Sequence, residues 1–153
     1  MKHGRGSHAA KLPVVHRALV HAVFALSWVS GAVVLGARYW GRSEGAFGLE
    51  RHWIESPARS LHGLSAGLCL LAVGSLLTRH VPAGWATGQR RPSAILLLAP
   101  VAGLALSGWG LYYAGHEGLR RVLEIAHAAL GFLLPLPLLV HARRAAVAGR
   151  PGV

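Results

Sequence analysis

EIAHAALGFLLPLPLLVHARR, residues 124–144, is a membrane-length apolar run with one histidine near each end, His127 and His141, and almost nothing polar between them. The two lie fourteen positions apart, a rise of roughly 21 Å on a helix. At about 100° per residue their directions return to within ~40° of each other, so one helix face carries both. An ionisable side chain in lipid is costly and points to function by default. One histidine towards each membrane surface, both on one face, predicts two cofactor sites stacked across a bilayer. Taken singly, either ring is explained as well by an interfacial position and a bond to a backbone carbonyl. That explanation weakens once matching histidines are found on other helices.

The rest of the chain reads as membrane protein too. Its 153 residues are 53% hydrophobic and only 14% charged, below the charge of an ordinary soluble domain. The charges cluster between long apolar runs, and four spans with short connections use up the length, so a single domain is expected. The one cysteine, Cys69, lies inside an apolar run and reads as a small packing residue. Disulfide frameworks, CxxC zinc sites and CxxCH attachment of a covalent heme are therefore excluded. There is no Asp, and the acids are Glu44, Glu50, Glu55, Glu117 and Glu124, which rules out paired-carboxylate chemistry deep in the membrane. A formal net charge of +11 raises nucleic acid as a partner, but the basic residues flank apolar spans and suit anionic lipid headgroups instead.

In chain order, residues 1–12 form a basic tail, and Pro13 suits the first turn of a helix. Residues 13–144 hold the four spans and 145–153 a C-terminal tail. The first span is expected at about Ala18 to Ala37, too long in its apolar part for an ordinary cleaved signal. Arg38 to Arg59 form the longest connection, with Tyr39, Trp40 and Trp53 suited to an interfacial belt. The second span is expected at Ser60 to Thr78, followed by a polar turn over 81–92. The third is expected at Ser93 to Ala114, then a loop over 115–121. The fourth is expected at Val122 to Val140, kinked where Pro135 and Pro137 free the carbonyls of Gly131 and Leu133. No internal sequence repeat is evident. Basic residues are denser on the side of both termini. The positive-inside rule therefore predicts an all-α, integral membrane four-helix bundle with both termini cytoplasmic.

The other histidines fall at useful depths. His62 opens the second span on the same side as His127, and His141 lies at the opposite end of the fourth span. Paired imidazoles from facing helices hold heme iron in bundle cores. Heme is a large apolar disc, and small residues follow both rings: Gly63, Ser65, Ala66 and Gly67 after His62, Ala128, Ala129 and Gly131 after His127. For His141 three partners compete. His16 and His21 are five residues apart, about 140° around a helix, so only one faces the core. The His16 face carries Ser27 and Ser30, with Gly31 beside it, and small polar residues belong inside a membrane bundle. The His21 face carries Ala25, Trp28 and Leu35. His80 is eighteen residues from His62, a rise of roughly 27 Å that overshoots the fourth-helix spacing. The order is His16, His21, His80. His3, His8, His52 and His116 lie in tails or loops and read as solvated.

This pattern resembles the bacterial cytochrome b561 family, four membrane helices with two noncovalent b-type hemes, related to the cytochrome b subunits of hydrogenases and formate dehydrogenases. The resemblance spans about residues 11 to 144 and rests on topology and histidine spacing. It implies an outer heme on His62 and His127 and an inner heme on His141 and His16, or alternatively His21. The family's usual His-Trp on the first helix is absent here, His16 being followed by Arg17.

Two functions follow as expectations. The first is an electron-transfer cytochrome of the inner membrane, multi-pass, carrying electrons through two hemes b between quinone or quinol and a redox partner protein, with no nucleic acid involved. Glu124, three residues before His127, is placed to accept a quinol proton, although a helix N-terminus explains it as well. Arg120, Arg121, Arg143 and Arg144 suit heme propionates or lipid headgroups. The second is a heme-free membrane anchor or assembly subunit in which the histidines are structural. A histidine-lined metal transporter is weaker, since the spans lack carboxylates.

Overall fold

The computed structural model describes residues 13–86 and 91–148. It is helical apart from one small hairpin: α1 (Val14–Trp40), β1 (Ser43–Gly45), β2 (Gly48–Glu50), α2 (Glu55–Ala86), α3 (Arg91–Tyr113), α4 (Glu117–Leu133) and α5 (Pro135–Ala148). Four segments are long and apolar enough to cross a membrane: Val14–Trp40, Glu55–Thr78, Ala94–Tyr113 and Glu117–His141. The chain divides into two compact units, Met1–Ala83 and Gly84–Val153.

In the first unit, α1 starts directly after Pro13, whose carbonyl accepts from the Arg17 N–H at 3.0 Å. It ends where the Gly41 N–H bonds the Ala37 carbonyl at 3.1 Å, with Arg38 in the last turn, where a cation meets the negative end of the helix. The long connection is structured. Ser43 pairs with Glu50, Glu44 with Leu49 and Gly45 with Gly48, which leaves Ala46 and Phe47 as the turn. Gly48 sits at φ +113°, a conformation that side chains avoid. Helix α2 begins at Glu55, five residues before the expected start of the span, and a Glu55 N–H bond to the His52 carbonyl at 2.9 Å leads into it. It runs through Pro82 to Ala86, so the first part of the expected polar turn is helical. Pro82 lacks an N–H, and a long helix tolerates that loss near its end.

In the second unit, α3 and α4 pack antiparallel. A Cβ on Gly103 would stand 2.9 Å from a Leu130 methyl, and one on Gly110 would stand 3.0 Å from a Leu123 methyl. Glycine at these two points lets the helices approach closely. The loop before α4 is shorter than expected because His116 caps the helix: its Nδ1 accepts the Gly118 N–H at 3.2 Å. The kink expected in the fourth span is an interruption at Leu134, between α4 and α5. Leu134 keeps helical dihedrals and donates to the Leu130 carbonyl at 3.0 Å, while the next bond, Leu138 N–H to Leu134 O, stretches to 3.4 Å.

Burial runs opposite to that of a water-soluble protein. Among the described residues the buried polar ones are Ser30, Glu55, Ser65 and Ser107, whereas Leu64, Leu71, Leu106 and Ile125 are exposed. Small polar groups inside and large apolar ones outside is the arrangement lipid favours, because only the interior offers hydrogen-bond partners.

Candidate histidine sites

His62 lies in the early turns of α2 and turns towards α1. Its Nδ1 is 2.9 Å from the Ser27 carbonyl and 3.3 Å from the Ser30 hydroxyl. A carbonyl only accepts, so Nδ1 carries the proton and donates. The Ser30 hydroxyl spends its own proton on the same Ser27 carbonyl, at 3.1 Å. Ser65, one turn after His62, donates to the His62 carbonyl at 3.0 Å and lies 3.5 Å from Ser30. Gly31 lies against the ring: a Cβ there would stand 2.9 Å from Cε1.

His127 repeats this arrangement in the second unit. Its Nδ1 is 3.0 Å from the Ser107 hydroxyl on α3. That hydroxyl donates to the Gly103 carbonyl at 2.6 Å, much the shorter contact, so it accepts from His127. Gly108 stands beside the ring, 3.1 Å from Cε1 to a built Cβ. A Ser-Gly step on one helix thus cradles a histidine of the next, Ser30-Gly31 for His62 and Ser107-Gly108 for His127. The sequence carries the signal, two Ser-Gly pairs one helix upstream of the two histidines; helix periodicity places Ser30 on the His16 face, whereas in the structure Ser30 meets His62.

The remaining candidates are less alike. His141 lies half-buried on α5. His16 on α1 meets α2, with Nε2 3.1 Å from the Ser75 hydroxyl. His21 is exposed, and its Nδ1 is 2.6 Å from the Arg17 carbonyl one turn back. His80 lies within α2, but its side chain is outside the described residues, as are His3 and His8. His52 and His116 are not simply solvated. Nδ1 of each accepts a backbone N–H, from Ile54 at 3.3 Å and from Gly118 at 3.2 Å. Glu124 is half-buried on α4, and Arg120, Arg121 and Arg143 are exposed.

One further feature lies apart from the helix-borne histidines. A cleft of about 240 Å³ at the start of α2 is lined by Arg51, His52, Trp53, Glu55, Ser56 and Arg59. Glu55 is 2% exposed and bonded through Oε1 to Arg59. Among the described residues no group of three or more His, Cys, Asp or Glu converges as a metal cluster would. The chain matches no family model, no curated protein and no solved structure.

Proposed function

We propose that this chain is a membrane b-type cytochrome whose two bis-histidine hemes carry electrons across the bilayer, between the quinone pool and a redox partner. The supporting observation is the protonation pattern of His62 and His127. Each donates through Nδ1 to an acceptor in its own unit, so the lone pair of the neutral ring resides on Nε2. A metal-binding imidazole needs this tautomer, with the lone pair on one nitrogen and the other nitrogen donating to a carbonyl or hydroxyl. The donor set therefore fits heme iron, which takes two imidazoles and requires no three-residue cluster. Bound heme supplies a one-electron couple.

The chain's own residues divide the work. His62 and His127 hold the outer group, and His141 with a first-helix histidine holds the inner one. Arg120, Arg121 and Arg143 neutralise propionates where the helices reach the headgroups. Glu124, one turn before His127, takes the proton released by quinol. The spans belong to a multi-pass inner-membrane protein with both termini cytoplasmic, after the excess of Lys and Arg on that side. The alternative, a heme-free anchor subunit, draws on the same bonds: a histidine with its Nδ1–H satisfied is also a stable helix-to-helix tie.

An absorption spectrum of the reduced protein in detergent separates the two. The cytochrome shows b-type bands and two hemes per chain, extractable by acid acetone. A preparation made with ample heme that has no Soret band removes the proposal and leaves the anchor.

A further inference from the structure

We propose that the cleft at the start of α2 binds a phosphoethanolamine group, its phosphate on Arg51 and Arg59 and its ammonium on Glu55. The inference is independent of any cofactor on the helix-borne histidines.

The cleft lies where two spans end. The span Glu55–Thr78 begins at Glu55 itself, and the span before it ends at Trp40. The hairpin over 43–50 runs between them, followed by residues 51–53, which form part of the cleft wall. Trp40 and Trp53 are both largely exposed, as suits indoles at headgroup depth. The volume, about 240 Å³, falls below the roughly 300–1,000 Å³ of sites for drug-sized ligands and suits a headgroup.

Glu55 carries the argument. Its side chain is 3% exposed, and Oε1 is paired with the Arg59 guanidinium. Oε2 is buried and has no hydrogen-bond partner among the described residues. A buried polar atom without a partner is costly, and more so on a charged group. The lining therefore holds an acceptor that calls for one more donor.

The rest of the lining donates. Arg51 and Arg59 are exposed guanidiniums, whose forked donors match a phosphate. His52 Nδ1 accepts the Ile54 N–H at 3.3 Å, so the neutral ring keeps its proton on Nε2. The Ser56 hydroxyl is a further donor. A simple anion would meet these groups but would be repelled by Glu55. A simple cation would meet Glu55 between two arginines. A ligand with a phosphate at one end and an ammonium at the other matches both. Choline has no N–H to give, and a glycerol headgroup offers only neutral hydroxyls, weaker partners for a carboxylate.

Entry asks little of the fold. Oε2 is buried while Arg59 holds Oε1, and Arg59 is 51% exposed, so its guanidinium can turn from Glu55 to the phosphate. One internal ion pair is then exchanged for two with the ligand.

The test uses the full chain in detergent and follows its thermal unfolding during titration with short-chain lipids. A ligand of the folded protein raises the melting temperature as its concentration rises. Dihexanoyl phosphatidylethanolamine should bind about tenfold more tightly than the phosphatidylcholine or phosphatidylglycerol of the same chain length, the worth of one charge-assisted bond. Glu55→Gln should abolish that preference. Arg51→Gln should weaken binding and leave the preference in place. Glycerophosphoethanolamine, which has no acyl chains, separates the two sources of the group. Binding as tight as the lipid's identifies a free phosphodiester as the ligand, weaker binding identifies the lipid, and either supports the site. Equal binding of phosphatidylcholine, a preference for phosphatidylglycerol, or an undiminished preference in Glu55→Gln overturns it. The headgroup series in wild type decides the matter even where a variant fails to fold.

Discussion

Gly31 and Gly108 stand where one added methyl group would press on an imidazole. At Gly31 that methyl would sit 2.9 Å from His62 Cε1 and 3.2 Å from Nδ1, and at Gly108 it would sit 3.1 Å from His127 Cε1. The first distance forces the ring to move; the second asks it to give by a few tenths of an ångström. Both Gly31→Ala and Gly108→Ala should destabilise, by about 1–3 kcal/mol as overpacking usually does, with Gly31→Ala the worse. Thermal unfolding in detergent measures the order. Two variants that melt with wild type would mean the rings do not lie against these glycines. The arrangement also shows where sequence reading stops at this scale. His62 and His127 stand out because an ionisable group in an apolar run is conspicuous. Which atom each donates to depends on residues 32 to 35 positions away in one case and 20 in the other, and no local pattern encodes that.

At the scale of the element, two features invite tests. The fourth span is interrupted at Leu134 because Pro135 and Pro137 lack the N–H groups that would reach the carbonyls of Gly131 and Leu133. The Pro135→Ala/Pro137→Ala double variant restores both donors and should make α4 and α5 continuous. His141 then turns relative to His127, and bound heme should fall from two to one with the outer spectrum kept. Two intact hemes in the double variant would show that the interruption does not set the His141 direction. At the start of α2, Glu55 is buried and tied to Arg59, a half-exposed cation. Removing the arginine leaves a buried carboxylate behind, and breaking such a pair typically costs about 3–5 kcal/mol. Because Arg59 is 51% exposed, the cost should fall below that range, near 1–2 kcal/mol after solvent screening. Arg59→Ala should therefore lower the melting temperature more than Glu55→Gln/Arg59→Ala does. The kink was legible in the sequence because proline acts locally. The start of α2 at Glu55 and the hairpin over 43–50 were not. Short polar residues near tryptophans suit an irregular connection as well as a two-stranded turn, and only Gly45 and Gly48 hinted at the latter.

At the scale of the molecule, the four spans were the most legible feature, since about twenty apolar residues in succession have few uses outside a bilayer. Hydropathy places the ends of the first two short, because it marks only the apolar stretch and α1 and α2 continue beyond it. The proposed orientation rests on the basic residues alone. Cytoplasmic reporters fused to either terminus should be active, and a periplasmic reporter inserted between Ala46 and Phe47 should be active there. A C-terminus active only as a periplasmic reporter would overturn the topology.

The two serine–histidine cradles also bear on the order of synthesis. His62 finds its acceptors on α1, which emerges from the ribosome before it, and His127 finds Ser107 on α3, likewise already made. Each ring is set by a helix upstream of it, within its own unit. A helical hairpin can therefore align its histidine as it leaves the translocon, before the next hairpin exists. On the diheme reading, a nascent chain would not need to wait for heme in order to insert.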